Sequence, residues 1–167
     1  MKAVLQRVTR ASVEVNGRTV GRIGPGVLVL LGVAKGDTAQ DVEYMAEKIH
    51  SLRIFADAQG KMNRSIADSQ GAVLLISQFT LLGQTAKGRR PDFAEAASPD
   101  EARMLYEHLA GALRNKGLRV ETGQFGAAMQ VDLVYDGPVT ILLESRRPHK
   151  EIRNSSLLET APTTVLE

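Results

Sequence analysis

Ser77-Gln78-Phe79-Thr80 follows an apolar run, Ala72 to Ile76, with two hydroxyls, an amide and an aromatic ring. The end of a strand holds small polar side chains and backbone N–H groups rigidly. Two chemistries are open there. A Ser or Thr hydroxyl can attack as a nucleophile, but it needs a base to take its proton. A backbone N–H can support a developing oxyanion without any titrating partner. No His, Asp or Glu stands in this stretch of sequence. His50 and His108 fall in helical patterns and His149 in a polar tail, so a Ser-His-Asp triad is not expected. An edge strand with ordinary polar residues is the plainer reading.

Three other segments invite the same scrutiny. In Asp136-Gly137-Pro138-Val139-Thr140 the proline cannot donate to a sheet ladder, so it belongs at a strand start or edge. Read from its residues alone, the segment is a hairpin turn. Thr122 to Ala127 carries Gly123 and Gly126, which permit close backbone approach to a ligand. Phe125 between them could stack on a base, or be one buried aromatic in a flexible loop. Lys87, Arg89 and Arg90, and the later cluster Arg146, Arg147, Lys150 and Arg153, could meet phosphates or be solvated surface charge.

The elements that must position these residues are legible from periodicity. Val4, Val8, Val13 and Val15 alternate in part with polar residues, and Asn16-Gly17 predicts a type I′ hairpin to the strand with Val20 and Ile23. Gly24-Pro25-Gly26 predicts a turn. Val27 to Leu31 predicts a central strand buried on both faces. Val42, Met45, Ala46, Ile49 and Leu52 follow a helical period, with Asp37 and Gln40 as the expected capping pair. Leu52 to Ala56 predicts a short strand and Asp57 to Gly60 a turn. Ser98-Pro99-Asp100-Glu101 opens a second helix whose apolar face is Leu105, Leu109, Ala112 and Leu113, ended by Gly117. Met129 to Tyr135 and Val139 to Leu143 predict two strands joined at 136–138. Two helices against seven or eight strands give an α+β fold with mainly antiparallel pairing.

Composition sets the bounds. The chain has 167 residues, enough for one domain, with 43% hydrophobic residues and only 4% aromatic. Val, Leu, Ile and Ala must therefore make the core. A net charge of +2 excludes a generally polybasic protein, so nucleic-acid contact needs local basic clusters. The absence of cysteine excludes disulfides, thiolate metal sites and a cysteine nucleophile. No metal or cofactor is implied by any ligand cluster. The N-terminus lacks a signal-peptide core, and no stretch approaches the roughly 20 apolar residues of a membrane helix. A cytoplasmic protein without membrane partners is the expectation. From Ser145 the composition turns basic and polar, so residues 1–144 are read as the domain and 145–167 as an appended tail.

Taken together, Ser77-Gln78-Phe79-Thr80-Leu81, Gly137-Pro138-Val139-Thr140, the opening Met1 to Val8 and the stretch Phe125-Gly126-Ala127 to Met129 resemble the D-aminoacyl-tRNA deacylase family. Their order and separation also fit, over residues 1–144. The resemblance implies a homodimeric barrel-like esterase that releases D-amino acids from tRNA and also cleaves glycyl-tRNA mischarged on tRNA-Ala. It implies active sites at the subunit interface, with tRNA as partner and no DNA. Ser77, Gln78, Phe79 and Thr80 would form the catalytic segment, the Phe79 N–H supporting the oxyanion and the ribose 2′-hydroxyl assisting. Gly137-Pro138, in a Gly-cisPro motif, would exclude L substituents, supported by Arg7. Phe125, Gly126, Ala127 and Met129 would meet the terminal adenosine, and Thr80 is the rival nucleophile. Family members often carry Asn where this chain has Tyr135, which puts the local turn geometry in question. Two other readings stay open: a non-catalytic RNA 3′-end binding module, and a general esterase using Ser77 or Thr80.

Overall fold

The computed structural model describes residues 1–145. The tail from 146 on, with His149, Arg146, Arg147, Lys150 and Arg153, lies outside the described residues. Asn16 and Gly17 both have positive φ, 51° and 73°, as a type I′ turn requires. They join β1 (Lys2–Val15) to β2 (Arg18–Ile23) as an antiparallel hairpin. Strand β3 (Gly26–Gly32) then pairs with the first half of β1. Helix α1 (Ala39–Ser51) leads to the short pair β4 (Phe55–Ala56) and β5 (Met62–Arg64). Strand β6 (Ala72–Ser77) runs into a 3-10 turn at Phe79–Leu82. Helix α2 (Pro99–Asn115), β7 (Arg119–Thr122) and the long β8 (Gln130–Glu144) complete the chain.

The fold is α+β and its pairing is mainly antiparallel, as expected, but the main sheet is mixed rather than purely antiparallel. Its order is β2-β1-β3-β6-β7, and the β3–β6 and β6–β7 pairs are parallel. Each helix connects two of these parallel neighbours, which is the crossover that parallel strands need. Strand β8 takes the other edge of β1 along most of its length. Strand β2 curls back toward β7, where Arg119 Nη2 donates to Arg22 O at 3.5 Å. Gly21 allows this approach, since a Cβ there would stand 2.8 Å from Thr122 O. The result is a nearly closed barrel.

Both faces of β3 and β6 are covered, which explains their unbroken apolar runs. Val27, Val29 and Leu31 of β3 and Val73 and Leu75 of β6 pack with the helices. Leu28, Leu74 and Ile76 point the other way, into the curl of the barrel with Val8, Val13 and Ile23. The α1 cap is displaced by one residue from the expected Asp37–Gln40 pair: Thr38 and Asp41 cap each other reciprocally. Asp37 instead accepts from Ala34 N–H and pairs with the Met1 ammonium at 2.8 Å. Helix α2 is capped as expected by Ser98 and Glu101, with Pro99 at its first position. The strand expected at Leu52–Ala56 shortens to Phe55–Ala56, because Ile54 N–H donates to Leu52 O and its carbonyl accepts from Arg7 Nη1.

Tyr106 ties α2 to the sheet. Its buried hydroxyl donates to Leu75 O at 2.8 Å. That carbonyl also accepts from Gly123 N–H, so Tyr106→Phe leaves no orphaned acceptor. The substitution should therefore cost only about 1 kcal/mol in urea unfolding, the net worth of one hydrogen bond. Burial pushes the Tyr106 hydroxyl up to about 12. The stability tied to that shift is whole below the ordinary tyrosine value and is lost as pH rises toward 12.

Candidate active site

Strand β6 ends at Ser77, and Gln78 N–H donates to Leu31 O at 2.7 Å. Phe79 and Thr80 come ahead of the first 3-10 hydrogen bond, which runs from Leu81 N–H to Gln78 O. Their N–H groups thus have no partner within that turn. Beside them opens a cavity of about 310 Å³, walled by Ser77, Gln78, Phe79, Tyr106, Phe125 and Gly126, with Ala97 and Pro99 among its floor residues. Its lining contains no His, Asp, Glu, Lys or Arg. Tyr106 is the titratable side chain on the wall, and its proton is held by burial and by the Leu75 carbonyl. Thr80 Oγ1 receives a hydrogen bond from the Gln78 amide, which is a donor and cannot act as a base. The cavity can bind an apolar ring system and offer N–H groups to a developing charge. It has no side chain placed to deprotonate a hydroxyl.

The 136–138 segment is not the hairpin turn its residues suggested. Both flanking halves belong to the single strand β8 and pair with β1. Gln6 faces Thr140 and Val8 faces Tyr135, so residues 136–139 bulge out opposite Arg7 alone. Arg7 fills the gap this leaves. Its Nε lies 3.0 Å from the Asp136 carboxylate and 3.3 Å from Asp136 O, while Nη1 donates to Ile54 O at 2.6 Å. The Tyr135 hydroxyl hydrogen-bonds Thr140 Oγ1 across the neck of the bulge, so this residue has a local structural task. At the tip, Gly137-Pro138 is a cis peptide and is exposed. Gly137 has φ 146°, and a Cβ on it would meet Val139 N at 2.4 Å.

Arg7→Lys keeps the charge but loses the fork that reaches Ile54 and Asp136 together. Release of the bulge should lower turnover by about tenfold, and stability in urea should fall by about 1.5–3 kcal/mol, since the Arg7 side chain is only 14% exposed and its bond to Ile54 O is charge-assisted. Kinetics and unfolding measured on the same preparation check this.

The structure brings Ser77, Gln78, Phe79, Phe125 and Gly126 to one cavity. It does not bring Ala127 or Met129 to that lining. Met129 instead packs against the core inside the barrel, close to Gly123. Gly137, Pro138 and Arg7 also stand apart from the lining within one chain. Lys87, Arg89 and Arg90 are exposed on the 83–92 loop, which Gln84 and Asp92 close and which continues to Phe93, stacked edge-on against Phe79 at 5.1 Å. Sequence reasoning missed Tyr106, Ala97 and Pro99. Tyr106 lies four residues after Ala102 on the apolar stripe of α2, and that periodicity was the available signal. His108 lies on the surface 3.9 Å from Glu43. No helix among the described residues is long and apolar enough to cross a membrane.

Comparison with known proteins adds the context. The family model described as D-Tyr-tRNA(Tyr) deacylase matches residues 4–144. A D-aminoacyl-tRNA deacylase of Anaeromyxobacter dehalogenans is 61% identical over 147 residues, 88% of this chain and 99% of that protein. One from Thermosipho africanus is 58% identical over the same shares. Among solved structures, the c-Myc DNA Unwinding Element Binding Protein superposes with a TM-score of 0.83 at 46% identity, covering 88% of this chain and all of that one. A probable eukaryotic D-amino acid tRNA deacylase shares the fold, with a TM-score of 0.74 at 18% identity over 85% and 97% of the two chains.

Proposed function

This chain belongs to the D-Tyr-tRNA(Tyr) deacylase family, and on that premise we propose that it hydrolyses the ester of D-aminoacyl-tRNA in the cytoplasm, releasing free D-amino acid and tRNA. The observation that carries this reading is the cavity lined by Ser77, Gln78 and Phe79, whose lining holds no side-chain base. Its volume sits at the lower end of small-ligand sites, about 300–1,000 Å³, and suits one nucleoside. The terminal adenosine lies against Phe125 and Gly126, while the Phe79 N–H supports the oxyanion. The ribose 2′-hydroxyl of the substrate takes the role that no side chain fills.

Chiral selection belongs to Gly137-Pro138 of a second copy, which reaches the cavity with its backbone carbonyls toward the chiral carbon. An L side chain clashes with them, a D side chain points away, and a glycyl group passes, which accounts for cleavage of glycyl-tRNA on tRNA-Ala. A homodimer agrees with three features. The bulge is exposed and apart from its own chain's cavity lining. The outer edge of β8 has no partner strand among the described residues. Leu142 and Phe79 are 74% and 58% exposed, which leaves apolar surface to cover. Residues 1–144, with Ser145 hydrogen-bonded to Met1 and Asp41 at their end, suffice for this chemistry, and the residues beyond are an appendage.

The test is turnover with D-Tyr-tRNA in large excess over protein. Many equivalents of tyrosine released per subunit support the deacylase. Tight binding of tRNA without release supports the RNA-end module instead. Cleavage of p-nitrophenyl esters that is lost with Ser77→Ala or Thr80→Ala supports the general esterase.

A further inference from the structure

Resting on the reading above, we propose that a groove beside the cavity binds the phosphodiester chain on the 5′ side of the terminal adenosine. The groove has a volume of about 380 Å³ and lies between α2 and the segment Thr122 to Phe125. It shares Tyr106 and Phe125 with the cavity, so one aromatic wall separates the two. Arg103, Glu107, Ala110 and Arg114 form its α2 bank. Their spacing of four, three and four residues places them on one helical stripe.

The charges favour a phosphate. The Arg103 guanidinium stands 5.0 Å from the centre of the Phe125 ring, at the wall next to the cavity. Neither Arg103 nor Arg114 has a carboxylate within ion-pair distance among the described residues. Arg114 Nη2 donates to Val120 O at 3.0 Å, which uses one of the five donors a guanidinium carries. The two arginines are separated by about 16 Å along the helix axis, so they can hold different phosphates of one strand. Glu107 lies between them and is the group there that repels a phosphate. A nucleoside seated in the cavity must lead its 5′ oxygen out past the rim, and Arg103 is the cation at the shared wall. The exposed loop cations Lys87, Arg89 and Arg90 are the competing route.

The test uses two stable analogues, 3′-deoxy-3′-(D-tyrosylamino)adenosine with and without a 5′-phosphate, titrated calorimetrically into the intact protein. The phosphate should tighten binding to the unaltered protein about tenfold, as a charge-assisted contact does. That gain should shrink with added salt. It should largely vanish in Arg103→Gln, grow in Glu107→Gln, and persist in a combined Lys87→Ala, Arg89→Ala, Arg90→Ala variant. Equal binding of both analogues to the unaltered protein, or a gain lost in the loop variant and kept in Arg103→Gln, overturns the groove and leaves the deacylase reading standing. Failure of both analogues to bind a protein with an intact circular dichroism spectrum overturns the two together.

Discussion

Tyrosine should be released from D-Tyr-tRNA ending in 2′-deoxyadenosine at least about 100-fold more slowly than from the ribose form, the low end of what a positioned proton-transfer group contributes. The expectation follows from what the cavity lacks. Its lining offers the Ser77 hydroxyl, with Thr80 just past it in the chain and outside the lining, but no His, Asp or Glu to activate either. Thr80 is engaged by the Gln78 amide, and Tyr106 keeps its proton until about pH 12. Water attack on the ester then needs a polar partner from the substrate, and the vicinal hydroxyl is the group at hand. A factor of 100 corresponds to about 2.7 kcal/mol of barrier. Single-turnover release, corrected for uncatalysed hydrolysis of each substrate, measures it. Equal rates would return Thr80 to the role of nucleophile.

Gly137→Ala should reduce release from D-Tyr-tRNA by about 100-fold, the scale of effect that a shift of about 1 Å has in a site. At φ 146° an L residue is strained, and its Cβ would collide with Val139 N at 2.4 Å. The neighbour is backbone, so the bulge itself must move. Gln6–Thr140 and Val8–Tyr135 fix its two feet, and Arg7 fixes Asp136, so the displacement falls on the Gly137-Pro138 tip. Overall stability should drop by only about 1–3 kcal/mol, the cost of one strained residue. Rate and urea midpoint together check this. A variant with unaltered rate and D-selectivity would show that the tip takes no part in the site.

Local signals in the sequence were sound where one rule decided the outcome. Asn16-Gly17 permits little but its turn, and Ser98-Pro99 with Glu101 little but a helix start. The unbroken run at Val27 announced a strand covered on both faces, and the run at Ala72 a short apolar strand. They did not announce parallel pairing, because that depends on where each helix returns the chain. The Gly-Pro segment shows the same limit more sharply. Its composition suits a tight turn, and only the register of β8 against β1 reveals a bulge, since both feet pair with residues more than a hundred positions away. The cavity was half legible. Ser77 to Phe79 and Phe125-Gly126 stood out as small or aromatic groups among polar neighbours. Tyr106 and Ala97 look like helix and loop filler until α2 is laid against β6.

The most direct measurement is tyrosine release from D-Tyr-tRNA and L-Tyr-tRNA under single turnover, by the intact protein and by Thr80→Ala in parallel. Release from the D form alone, undiminished in Thr80→Ala, is the expected result and places the chemistry on backbone and substrate. Comparable release from both forms would contradict chiral exclusion, and loss of release in a folded Thr80→Ala would contradict the backbone mechanism.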